Sequence, residues 1–279
     1  MPRLGLCSWS LQPAGPDDLA RSAAASGVGA IQLALDPIRS GAWPLPATRA
    51  ALRGAGLTLL SGMMAMEGED YSTLASIRRT GGLRPDEHWR ANLAAARANA
   101  RLARTLDLSL VTFHAGFIPE DPADPQWSVM LGRVAELAAE FATLDVRVAL
   151  ETGQESAAGL ARFLAALPPP GAGVNFDPAN MVLYGSDEPE RAVAVLGPHI
   201  VQVHVKDARP AGAPGAWGTE VPVGRGAVGW PRILGALRAA GVRADLVIER
   251  EAGGERLEDL KAAAHFLGRV SAEAGYALD

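Results

Sequence analysis

Four short hydrophobic runs in this chain each carry a side chain that binds metals. VRVALE ends on Glu151, GAGVNFD ends on Asp177, IVQVHVKD contains His204 and ADLVIERE contains Glu249. Three carboxylates and one imidazole make an oxygen-rich donor set. It suits one divalent cation, Mn2+ or Mg2+ first and Co2+ or Zn2+ next. Carboxylates in excess of the cation's charge can also move protons, with Glu151 and Glu249 as the acid–base pair. Each acid alone has an ordinary reading, since acids at strand ends often cap the following helix. Four such residues on successive runs are harder to explain that way.

For the four heads to meet, the runs must be parallel neighbours whose C-terminal ends share a rim. Strand-like segments recur at 3–9, 29–35, 57–64, 108–114, 145–151, 172–177, 200–206 and 244–250. Most are four to eight residues long and rich in Val, Leu and Ile, as strands buried on both faces favour. Helical patterns fall between them at 17–26, 46–55, 86–106, 128–143, 156–167, 188–197, 230–240 and 255–274. Gly27, Gly56 and Gly241 stand where helices should stop, and Pro16 and Pro189 where helices should start. Eight strands alternating with eight helices predict an α/β fold, a (β/α)8 TIM barrel, as one domain over 1–279. A doubly wound open sheet is the alternative. The irregular stretches 66–85, 115–127 and 207–229 all follow strands, on the face where such barrels build their sites. The Pro/Gly-rich part, 209–229, is expected to form a lid or substrate wall.

Other residues gather at the same rim. His114 ends the fourth strand and is expected to contact substrate or a ligand. Lys206 lies one inward step beyond His204; it either binds a substrate oxygen or pairs with Asp207 or Glu251. Trp9 ends the first strand and could stack on a sugar face or simply pack. Glu67, after the third strand, is a weaker candidate.

The net charge of −5, without a basic stripe, argues against a nucleic-acid partner. The single cysteine, Cys7, excludes an intrachain disulfide and is expected to be a buried strand residue. No signal peptide is evident, and no run approaches the roughly 18 apolar residues needed to span a bilayer. A cytoplasmic protein without membrane association is the expectation, and a homo-oligomer is compatible with it. Gly224–Gly229 matches a dinucleotide-binding spacing, but the acid that should follow, Asp245, begins its strand instead of ending it. The segment is better read as a turn leading into the next helix. Gly253-Gly254 is a weak phosphate-binding signal.

LETG, NFDPANM, VHVKDAR and VIERE resemble the strand-end motifs of the xylose isomerase-like barrels, a superfamily of sugar phosphate isomerases and epimerases. The resemblance runs from GLCSWSL to VIERE. It implies that Glu151, Asp177, His204 and Glu249 bind the metal and that Glu151 and Glu249 act as acid and base. Arg209, closing VHVKDAR, stands as a further candidate substrate contact. Two positions depart from the pattern. Asn180 replaces the histidine that ketose 3-epimerases use on substrate hydroxyls, and Gln32 stands where relatives often carry Glu. The expected activity is isomerisation or epimerisation of a small sugar, sugar phosphate or keto-polyol through a metal-stabilised enediolate. The alternative is a dehydratase or lyase on a keto-sugar or inosose. An inactive sugar-binding barrel ranks lower. Phosphodiester hydrolysis ranks lower still, because a multinuclear zinc cluster needs more histidines.

Overall fold

The computed structural model describes residues 1–213 and 215–279; Pro214, within the stretch expected to form a wall, lies outside the described residues. Eight parallel strands close into a barrel. They are β1 (Leu4–Cys7), β2 (Ala30–Ala34), β3 (Thr58–Met63), β4 (Leu110–Phe113), β5 (Arg147–Glu151), β6 (Gly173–Phe176), β7 (Ile200–Val205) and β10 (Asp245–Ile248). The short strands β8 (Asp207–Arg209) and β9 (Thr219–Val221) form a separate antiparallel hairpin. The helices are α1 (Pro16–Ser26), α2 (Asp36–Arg39), α3 (Leu45–Gly54), α4 (Leu74–Thr80), α5 (Asp86–Thr105) and α6 (Pro125–Ala142). They continue with α7 (Ala157–Ala166), α8 (Pro178–Tyr184), α9 (Pro189–Leu196), α10 (Trp230–Ala239) and α11 (Arg256–Ala274).

Every barrel strand is followed by a helix, as the alternating pattern predicts. Gly27, Gly56 and Gly241 end their helices with φ of 78°, 67° and 71°, a region where a side chain would be strained. The main core lies between barrel and helices, where Phe113, Phe141, Phe163, Phe176 and Trp230 are fully buried. Inside the barrel, Gly5 leaves room for Leu60, whose Cδ1 would stand 2.5 Å from an added Cβ. Cys7, as expected, is buried in a small cluster with Ala30, Leu60 and Val247.

Two stretches expected to be irregular contain elements. Residues 66–85 include α4, started by a reciprocal cap between Thr73 and Ser76. Residues 207–229 include the hairpin. The first strand is also shorter than expected: the chain turns into a 3-10 segment, Ser8–Leu11, so Trp9 sits on that turn.

The order around the barrel is β10, β7, β6, β5 on one side, and each of these adjacent strands delivers one of the four ligand candidates to the C-terminal rim. Register places Val247 opposite His204 and Glu151 opposite Asn175, with Asp177 two residues beyond Asn175. Glu151 and Glu249 therefore stand at the two ends of the arc, with His204 and Asp177 between them.

Candidate metal centre

Glu151, Asp177, His204 and Glu249 are all buried, and one donor atom from each lies within 4.8 Å of the others. His204 Nδ1 is 3.3 Å from Glu151 Oε1 and 3.3 Å from Glu249 Oε2. Asp177 does cap a helix: its Oδ1 accepts the N–H groups of Ala179 and Asn180 at the start of α8, at 2.8 and 3.0 Å. Its other oxygen, Oδ2, is buried without a hydrogen-bond partner, and so is His204 Nδ1. Two orphaned donors in a buried carboxylate cluster are unfavourable unless something positive bonds to them. The residues present therefore fit a divalent cation.

The surroundings fix each donor. His204 Nε2 lies 2.7 Å from Gln32 Oε1, an atom that can only accept, so Nε2 carries a proton in either charge state, and Nδ1, which faces the carboxylates, is the nitrogen that would give up its proton to a cation. Gln32 is held in turn by its bond to Thr112 Oγ1, at 2.9 Å. Glu151 Oε2 accepts from Asn175, which accepts from Gln202, which accepts from Ser61. This polar chain fills the barrel beneath the rim. Glu249 Oε1 accepts from the Trp9 indole at 2.8 Å, and its Oε2 lies 3.1 Å from Lys206 Nζ. Trp9 thus orients the Glu249 carboxylate while also lining the cavity.

The field favours positive charge at this point. Burial alone would depress the His204 imidazole, yet Glu151, Cys7 and Glu249 raise its pKa well above the ordinary value. Burial likewise opposes the Lys206 ammonium, but Glu249, Glu251 and Asp177 lift it. Burial would raise Glu151 and Glu249; the neighbouring cations hold both below the usual carboxylate range, His114 and His204 for the first, Lys206 and His204 for the second. Burial pushes the Asp177 carboxyl up to about 7, against the pull of Lys206.

Above the cluster opens a cavity of about 430 Å3, bordered by Trp9, His114, Asn180, Lys206 and Glu251. Asn180 bridges Glu151 Oε1, at 3.0 Å, and Lys206 Nζ, at 3.3 Å. His114 Nε2 is 3.4 Å from Glu151 Oε1. Lys206 pairs with Glu249 and Glu251, not with Asp207. The Asp207 carboxylate instead accepts the N–H groups of Gly224, Gly226 and Val228. The glycine turn thus cradles the chain's own acid.

Two site candidates stand apart from the cavity. Glu67 is exposed and borders a different groove beside α5, because the loop after β3 turns its side chain outward. Arg209 is exposed, its guanidinium on the Arg225 carbonyl, because β8 bends away from the barrel into the hairpin. Glu69, two residues after Glu67, borders the cavity instead, and burial raises its pKa. No spacing signal separates these two acids; only the path of the loop does.

A family model described as "Xylose isomerase-like TIM barrel" matches residues 20–270. None of the curated proteins compared matches the chain. A xylose isomerase domain protein from Planctomyces limnophilus is 30% identical and superposes with a TM-score of 0.85, covering 92% of this chain and 93% of that one. A xylose isomerase-like TIM barrel protein from Mycobacterium smegmatis, solved in complex with magnesium, is 18% identical over 96% of this chain and 92% of that one, with a TM-score of 0.70. D-psicose 3-epimerase from Clostridium cellulolyticum H10, solved with D-tagatose, is also 18% identical, over 96% of this chain and 99% of that one, with a TM-score of 0.70. The last two likenesses show the fold alone.

Proposed function

The chain belongs to the xylose isomerase-like TIM barrel family, and from that premise we propose that it is a divalent-metal-dependent isomerase or epimerase of a small keto-sugar. The observation that carries this reading is the buried set Glu151, Asp177, His204 and Glu249, with Asp177 Oδ2 and His204 Nδ1 lacking partners. Its oxygen-rich donors favour Mn2+ or Mg2+. When bound, such a cation supplies positive charge where an oxyanion develops as a proton leaves the carbon beside a carbonyl.

Glu151 and Glu249 hold their acidic oxygens at the two ends of the ligand arc. His114 beside Glu151 and Lys206 beside Glu249 favour the ionised forms, so either carboxylate can accept a proton. One takes the proton from carbon and later releases it to solvent; the other, having taken a proton from solvent, delivers that proton to the other face or the adjacent carbon. Asn175 and Asn180 fix the Glu151 carboxylate, and Trp9 and Lys206 fix that of Glu249. This limits reorganisation during transfer. Lys206, Asn180 and His114 present polar groups to substrate oxygens at the cavity floor.

The test is turnover of a panel of ketoses in deuterated solvent with Mn2+ added. Expected are products of unchanged constitution that carry solvent deuterium on carbon, with Glu151→Gln inactive. Proton transfer by this pair is overturned by a product lacking deuterium together with a fully active Glu151→Gln. Loss of water from the substrate mass would assign the same site to elimination instead.

A further inference from the structure

The cavity above the ligand cluster has two unlike halves. Its floor is polar. The rest of its lining is apolar and aromatic: Met63, Met64, Leu183, Tyr184 and Trp217 border it. Tyr184 and Trp217 pack at 4.8 Å between ring centroids, and Phe117 meets Tyr184 edge-on at 6.0 Å. The wall is built in place. The Gly218 N–H donates to the Leu183 carbonyl, which ties the segment bearing Trp217 to α8. An added Cβ at Gly218 would stand 2.9 Å from Leu183 Cα, so only glycine permits this approach. The Trp217 indole nitrogen is buried without a partner.

The charge on the cavity is one-sided. Among the described residues that border it, Lys206 is the only lysine or arginine, and Glu249 and Glu251 already engage it. Asp36 (paired with Arg39), Glu69 and Glu251 add carboxylates to the lining. A phosphate there would meet carboxylates, and both cationic side chains of the lining are already engaged, Lys206 by Glu249 and Glu251 and His114 by Glu151. Phosphate sites in barrels of this kind use the loop after the last strands and a helix N-terminus. Here the Glu251 and Ala252 N–H groups in that loop already donate to Glu220. A volume of about 430 Å3 is also more than one sugar ring fills, and such a wall favours a partly apolar ligand.

We propose that this site takes an unphosphorylated ketose bearing an apolar substituent, its polyol end on the ligand cluster and its substituent against Tyr184 and Trp217. The inference rests on the keto-sugar reading above and names the substrate class within it. Binding to the Mn2+-loaded protein is measured by calorimetry with three probes that differ at one oxygen: D-fructose, 6-O-benzyl-D-fructose and D-fructose 6-phosphate. The benzyl ether is expected to bind about tenfold tighter than fructose, and the phosphate no tighter than fructose. In Trp217→Ala the benzyl preference shrinks toward unity. Mn2+-dependent fructose binding with no benzyl advantage, or with the phosphate tightest, overturns this inference and leaves the keto-sugar reading standing. Absence of Mn2+-dependent binding by all three overturns both.

Discussion

Gln32 is the most exposed test of how the ligand cluster is tuned. Its carboxamide oxygen lies 2.7 Å from His204 Nε2 and holds the ring proton there. Gln32→Met keeps the length of the side chain and removes the acceptor. The Nε2–H would then have only the Cys7 sulfur, 3.7 Å away, which is a weak acceptor. The ring could also place its proton on Nδ1, which would have to be displaced before a cation could bind. Removing the group that orients a metal-binding histidine costs about 10- to 100-fold in metal affinity. That corresponds to about 1.4–2.7 kcal/mol. Titration calorimetry with Mn2+ measures it directly. Thr112→Val frees only the far end of Gln32, whose Nε2 donates to Thr112 Oγ1, and should give a smaller loss. A folded Gln32→Met protein with undiminished Mn2+ affinity would falsify the tautomer assignment.

Other consequences follow from the same geometry. Arg250 is buried between Glu220 at 2.7 Å and Asp259 at 2.8 Å, joining the end of β10 to the hairpin and α11. Arg250→Met leaves the buried Glu220 carboxylate with only the Glu251 and Ala252 N–H groups and no cation, and should cost about 3 kcal/mol in urea unfolding; a loss under about 1 kcal/mol would contradict this. Burial pushes the Glu155 carboxyl up from the ordinary 4.5 to about 8. The folded chain then keeps a proton that the unfolded chain has lost. That contribution to stability is fully present below about 4.5 and gone once pH has risen through about 8. Glu155→Gln should flatten the decline in melting temperature across this window, and an unchanged slope would count against the assignment. Glu151→Gln should lower turnover by at least about 100-fold while the protein keeps its melting temperature without metal. A loss of turnover that merely follows unfolding would remove Glu151 from the chemistry.

The barrel is legible in the sequence because strands buried on both faces are mostly apolar runs, and the helical patterns between them carry start and stop residues such as Pro16, Pro189, Gly27, Gly56 and Gly241. The candidate ligand set is legible for a related reason. A barrel rim is where a buried strand may end on an acid, and Glu151, Asp177 and Glu249 all do so. What escapes depends on the path of the chain in space. The α4 helix is short, and its Thr73–Ser76 cap lacks the usual acid at the third position. The α8 helix carries its own signal, Asp177 before Pro178, but occupies only seven residues between two strands. Trp9 is apparent as an aromatic at the rim, yet its indole bond to Glu249 needs the barrel closed between β1 and β10. Gln32 stands out only as a departure from a family pattern, and its bond to His204 joins residues 172 positions apart. Glu67 and Glu69 cannot be separated by spacing, since a loop has no fixed period to assign a facing.

Anomalous diffraction from crystals of the protein soaked in Mn2+ shows whether these four side chains hold one cation. One strong peak is expected, bounded by the Glu151, Asp177 and Glu249 carboxylates and by His204 Nδ1, and lost in Asp177→Asn. A fully soaked crystal with no peak among those four side chains, or with manganese only elsewhere, would contradict it.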